Sequence, residues 1–296
     1  MHRLLSTLPF LLIATFCTLS AHTPATAEEI FESEIEFANP AGEHLKLDLA
    51  RPDGKGPYPA VICIHGGGFR EGDQSYYDGL IQELAAKGYV AATINYRLAP
   101  KHPFPAAVHD CKAAVRWLRA NADKYHVDPA HVGVVGSSAG GTLALFLGAT
   151  AGKKQFEGEG PHLDQSSAVQ CVVSFFGPSD FMKWYGNSPD AEGVLQDYLG
   201  GNPKTQPKRH ADASPLTHIS PKSAPTLCIH GTKDELVPLE QSQWMVDALK
   251  KAGVQTNLLV VQNAGHGFEG NDDTKANAAA IEFLDKHLKT NPRPKK

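Results

Sequence analysis

Gly136-Ser137-Ser138-Ala139-Gly140 lies between the apolar run Val132–Val135 and a small-residue segment that continues into Leu143, Ala144, Leu145, Phe146 and Leu147. The pattern is a strand, a tight turn and a helix. Glycines two residues to either side of Ser138 let the backbone take a strained turn that lifts the hydroxyl out of a sheet. Ser138 is therefore the candidate nucleophile. The pentapeptide alone is a weak signal, and its surroundings must carry the reading.

Around this turn, short apolar runs at 60–64, 90–95, 132–135, 170–175, 225–229 and 257–261 alternate with helical stretches. Residues 30–50 alternate loosely and predict an antiparallel hairpin turned at Asn39-Pro40-Ala41-Gly42. The helix expected over 106–120 places Val108, Cys111, Val115 and Leu118 on one face, with Lys112, Arg116 and Arg119 turned outward. Strand–helix alternation of this kind specifies an α/β fold, its sheet mostly parallel, with functional residues at the carboxyl ends of strands.

Each further motif falls at such a strand end. His65-Gly66-Gly67-Gly68-Phe69 follows the run Ala60–Ile64. A glycine run is often a plain tight turn; paired with a nucleophile elbow it can instead turn N–H groups toward a developing oxyanion. Serine needs an imidazole to accept its proton, and the imidazole needs a carboxylate to fix its tautomer. Of the 14 histidines, His266 in Asn263-Ala264-Gly265-His266-Gly267-Phe268 follows the last apolar run. Asp234, in His230-Gly231-Thr232-Lys233-Asp234-Glu235, follows the penultimate one. The order Ser138, Asp234, His266 is that expected of this strand arrangement. Asp180 also follows a strand and is the competing acid, read as a helix cap or loop-ordering residue. Glu235 is expected to point away if Asp234 points in.

The chain has 296 residues and a formal net charge of −4. It carries no nucleic-acid patch: the one basic cluster, Lys289 with Arg293, Lys295 and Lys296, reads as a solvated end. Met1-His2-Arg3, the apolar stretch Leu8–Leu19 and Ala25-Thr26-Ala27 read as a signal peptide over residues 1–27, cleaved near Ala27, so the expected location is periplasmic or secreted. A retained anchor and a lipidated Cys17 are the other readings of that segment. Cys63, Cys111, Cys171 and Cys228 remain; their even count invites disulfides, but their places in apolar runs fit buried packing thiols. No C-x-x-C or His-x-x-x-His spacing marks a metal site, and no cofactor is expected.

Taken together these residues resemble the α/β-hydrolase superfamily, in its H-G-G-G branch of small carboxylesterases and polysaccharide esterases. Asn95-Tyr96-Arg97-Leu98-Ala99-Pro100, His102-Pro103-Phe104-Pro105 and Asp110 are similar to the Y-R-L-A-P segment of the hormone-sensitive-lipase-like esterases, and the resemblance extends over nearly all of residues 28–296. It implies an eight-stranded sheet, a Ser138-Asp234-His266 triad and an oxyanion hole from the N–H groups of Gly67, Gly68 and Ala139. Tyr96, Arg97 and Asp110 are implied to order the loop beneath the site. Two features depart from the hormone-sensitive-lipase-like pattern: Lys101 stands where an acidic residue is usual, and the chain enters a strand at about Ile30, where those enzymes carry helical cap segments.

What remains of a cap is the excursion 181–220, whose Trp184, Tyr185 and Tyr198 either line an acyl or sugar site or pack the excursion onto the core. A lightly capped cleft suits bulky substrates, and the uncapped pattern resembles the bifunctional acetylxylan and feruloyl esterase family. The implied activity is hydrolysis of short-chain esters, with acylated plant polysaccharide as substrate. A generalist carboxylesterase, a serine peptidase and a non-catalytic binding module are the competing functions.

Overall fold

The apolar runs become the strands of one eight-stranded sheet in a computed structural model that describes residues 29–289. Strands β1 (Glu29–Ala38), β2 (Leu45–Pro52), β3 (Tyr58–Ile64), β4 (Val90–Ile94), β5 (Val127–Ser137), β6 (Cys171–Phe175), β7 (Thr226–Gly231) and β8 (Thr256–Val261) are arranged in the order β1-β2-β4-β3-β5-β6-β7-β8. The first two form the expected hairpin, and β2 joins β4 antiparallel; every pairing from β4 to β8 is parallel. The signal-peptide reading and most of the basic tail lie outside the described residues. Among the described residues no helix is long and apolar enough to cross a membrane.

The helices are α1 (Asp78–Ala86), α2 (Ala106–Ala120), α3 (Ala122–Tyr125), α4 (Ala139–Ala149), α5 (Phe181–Trp184), α6 (Ala191–Leu199), α7 (Pro207–Ala213), α8 (Glu240–Lys251) and α9 (Gly270–Leu288). Helices α2, α4 and α8 pack on one face of the sheet and α1 and α9 on the other, giving two apolar layers. Strands β4 and β6 are buried along their whole length, as expected of a sheet covered on both faces. The cysteines Cys63, Cys111, Cys171 and Cys228 are free and buried in these layers. Burial pushes the Cys171 and Cys228 thiols up to about 12, which keeps them protonated.

The helix over 106–120 forms as expected, but its cations are not turned outward. Lys112, Arg116 and Arg119 are buried, because the segment 150–170 folds across that face of α2. Lys112 Nζ donates to the Thr150 carbonyl at 3.0 Å and to Glu157 Oε1 at 2.9 Å, and Arg116 Nη1 donates to Glu157 Oε2 at 2.9 Å. Arg119 caps the carbonyls of Pro129, Ser166 and Ala168. These cations tie a long connection down by supplying donors to carbonyls that would otherwise be buried without partners.

The excursion 181–220 is packed rather than splayed. Phe181, Leu195, Tyr198 and Leu199 are buried in the larger apolar layer, and Phe69 stacks on Tyr198 with ring centroids 3.9 Å apart. Trp184 Nε1 donates to the Leu236 carbonyl at 2.9 Å. Trp184 and Tyr198 thus serve packing, and α6 stands as a fixed wall over the loop 65–69.

Candidate active site

The turn after β5 is built by exclusion. Ser138 has φ 53° and ψ −120°, a left-handed conformation unusual for a residue with a side chain. A Cβ at Gly136 would sit 2.3 Å from the Gly140 carbonyl oxygen, and one at Gly140 only 2.0 Å from that of Ile64. Only glycine allows β5, β3 and α4 to approach this closely, and the strained serine is held at the head of α4.

Two loops at neighbouring strand ends bring the other expected residues to it. His266 Nε2 lies 2.9 Å from Ser138 Oγ, and His266 Nδ1 lies 2.8 Å from Asp234 Oδ2. With Nδ1–H directed at the carboxylate, Nε2 is left as the acceptor facing the hydroxyl. Asp234 Oδ1 accepts the Leu236 and Val237 amides at 3.0 and 2.8 Å. Burial alone would push the Asp234 carboxyl up; hydrogen bonds from His230, His266 and the Val237 amide outweigh it and hold the group well below the usual carboxylate range. Asp234 is therefore a fixed negative charge at the far end of the imidazole.

Asp180 is elsewhere. Its carboxylate accepts the Met182 and Lys183 amides at 3.0 and 3.2 Å, capping α5. Glu235 is exposed.

On the opposite side of Ser138, Gly67 and Gly68 have φ of 95° and 59°, and among the described residues their N–H groups donate to no backbone carbonyl. Ala139 is the first residue of α4, where helix geometry leaves the N–H without an internal partner and the helix dipole favours negative charge. The glycine loop is held from beneath. The Tyr96 hydroxyl is 3.1 Å from the carbonyls of both His65 and Gly66, and its ring stacks on His65 at 4.3 Å. Arg97 makes a bidentate pair with Asp110, with contacts of 2.7 to 3.0 Å. Neither touches Ser138, consistent with their reading as supports.

Two residues of the site were not singled out from the sequence. His230 Nε2 approaches Asp234 Oδ2 at 3.2 Å; its position four residues before the acid was the available signal. Phe176 takes a left-handed φ of 40° and sets its ring centroid 4.6 Å from that of His266. Nothing in the local pattern around Phe176 distinguishes it from the other apolar residues of its run.

A mostly parallel eight-stranded sheet, a strained serine at a strand–helix elbow and an imidazole–carboxylate pair beyond it define an α/β-hydrolase of the carboxylesterase branch. Residues 47–249 match the pattern of the BD-FAE family, and the chain belongs to that family. It is 33% identical over 231 residues to esterase LipC of Mycobacterium tuberculosis, spanning 76% of this chain and 56% of that protein. The chain spans about half the length of the curated relatives it matches first. Among solved structures, a truncated carbohydrate esterase from gut microbiota superposes with a TM-score of 0.79 at 28% identity, covering 90% of this chain and 98% of that one. An acetyl ester-xyloside bifunctional hydrolase from Caldicellulosiruptor lactoaceticus gives 0.73 at 27% identity, covering 82% and 88%.

Proposed function

We propose that this chain is an exported carboxylic-ester hydrolase, a single α/β-hydrolase domain over residues 28–296 that acts on short-chain acyl esters of plant polysaccharide. The observation that carries the reading is the run of contacts from Ser138 Oγ through His266 to Asp234, at 2.9 and 2.8 Å. The similarity to esterase LipC and to a carbohydrate esterase from gut microbiota supports it.

In this reading His266 Nε2 takes the Ser138 proton as Oγ attacks the ester carbonyl. Asp234 stabilises the imidazolium, and the Gly67, Gly68 and Ala139 N–H groups receive the charge on the carbonyl oxygen. His266 then gives its proton to the departing alcohol. Water, deprotonated by the same imidazole, attacks the acyl-serine, and return of the proton to Oγ restores the enzyme and releases the acid.

Acetate and ferulate release from acetylated and feruloylated xylan, measured beside short aryl esters with a Ser138→Ala control, tests the proposal. Serine-dependent release from the polymer supports it. Serine-dependent turnover of small esters alone reduces the protein to a generalist carboxylesterase.

A further inference from the structure

Beside Ser138, between α1, the end of β6 and the start of α9, lies a hollow of about 310 Å³. Tyr76, Tyr77, Phe176 and Phe268 form its aromatic wall, and Asp273 and Asn277 its polar edge. It adjoins the chemistry at two points. Ser137, in the lining, directly precedes Ser138. Phe176 and Gly267, also in the lining, flank His266, the first by ring contact and the second along the chain.

The side on which the hollow lies assigns its occupant. The Gly67–Gly68 loop lies against α6 at Gly68, where an added Cβ would meet Val194 Cγ2 at 3.4 Å. In ester cleavage the carbonyl oxygen faces the N–H donors of that loop, while the leaving oxygen must reach the proton on His266 Nε2. The group attached to the leaving oxygen therefore departs on the His266 side, where the hollow is.

Its lining suits one kind of group. Tyr76 is 63% exposed, set edge-on to Tyr77, and offers a free aromatic face to an incoming ring. Asn277 Nδ2 donates to Asp273 Oδ2 at 3.1 Å, which places a carboxylate and an amide side by side on the opposite edge. A pyranose has apolar C–H faces that pack on aromatic rings and a girdle of hydroxyls that pairs with carboxylate and amide. An alkyl chain has no use for the polar edge. Asp273 and Asn277 also border a second hollow of about 550 Å³, which runs on between α1 and α9 past Glu83 and Ile281.

We propose that the first hollow is the leaving-alcohol subsite for the pyranose that bears the scissile ester, and that the second holds the next sugar of the same chain. The inference rests on the ester-hydrolase reading above and adds the binding mode.

The test compares kcat/KM on O-acetylated xylotriose with that on ethyl acetate, whose leaving alcohol does not fill the hollow. Wild type is set against Tyr76→Ala and Asn277→Ala, with thermal unfolding to verify the fold. The acetylxylotriose-to-ethyl acetate ratio is expected to fall about fivefold or more for Tyr76→Ala, and unacetylated xylotriose is expected to inhibit ethyl acetate hydrolysis by the wild type competitively. Ratios that stay constant in both variants overturn the subsite, as does inhibition by free ferulate without inhibition by xylotriose. Wild type that hydrolyses ethyl acetate without favouring the acetylated sugar overturns the subsite alone; failure to hydrolyse either ester removes the hydrolase reading beneath it.

Discussion

His230 and His266 meet on one oxygen: their Nε2 and Nδ1 atoms lie 3.2 and 2.8 Å from Asp234 Oδ2. His230 Nε2 is also 2.8 Å from the Val237 carbonyl and its Nδ1 is 2.7 Å from Ser242 Oγ. The carbonyl requires a proton on Nε2, and Nδ1 then accepts from the serine hydroxyl. His230 so disposed is a buried donor that aims Asp234 at His266.

Replacing His230 by alanine removes one of the hydrogen bonds that hold the Asp234 carboxyl low. A hydrogen bond to a charged group is worth about 1.5–3 kcal/mol, and a loss of that size is expected in urea unfolding at pH 7. The sign with pH follows from the depressed carboxyl: its stabilisation is present above the unfolded value near 3.9 and is lost as pH falls toward the folded one. The gap between wild type and His230→Ala should therefore narrow below about pH 4. A gap independent of pH would remove Asp234 as the route of the effect.

Gly67→Ala addresses the donor loop. A Cβ there would lie 2.2 Å from the Glu71 carbonyl oxygen, at a φ of 95° that alanine resists. Displacing one oxyanion donor costs on the order of 10²–10³ in kcat. Near-normal kcat from a folded Gly67→Ala protein would take that loop out of the chemistry.

At the head of α1, burial and the Asp48 carboxylate, to which only a protonated Asp78 can donate, push the Asp78 carboxyl up to about 6. The folded protein binds the extra proton between the unfolded value near 3.9 and that raised one, so stability falls as pH rises through this window. Asp78→Asn should raise the unfolding midpoint at pH 8, with the gain shrinking as pH drops through about 6 to 4. An equal gain at pH 4 and pH 8 would exclude the carboxyl pair as its source.

Glu157 is the carboxylate partner of both buried cations Lys112 and Arg116. Glu157→Gln leaves them without a counter-charge and is expected to cost about 3–5 kcal/mol in denaturant unfolding. A loss under about 1 kcal/mol would place the pair with surface ion pairs.

The contrast between Glu157 and Ser138 shows what a linear chain displays. The elbow and the loops bearing Asp234 and His266 were legible because each depends on a few adjacent residues and on chain order, and β1 and β2 because a short turn joins two alternating runs. The burial of Lys112, Arg116 and Arg119 was not legible: helical periodicity assigns cations to solvent, whereas a segment some 40 residues downstream covers them. The packing role of the excursion is hidden for the same reason, since an aromatic that lines a cleft and one that fills a core look alike until the partner, here Phe69 against Tyr198, is in place.

The proposed mechanism makes Ser138 the activated nucleophile. Intact-mass analysis and peptide mapping after brief treatment with a fluorophosphonate would identify the reactive serine. One adduct is expected, on the Ser138 peptide, formed far more slowly in His266→Ala; an adduct on another serine, or none in a preparation that hydrolyses esters, would take Ser138 out of that role.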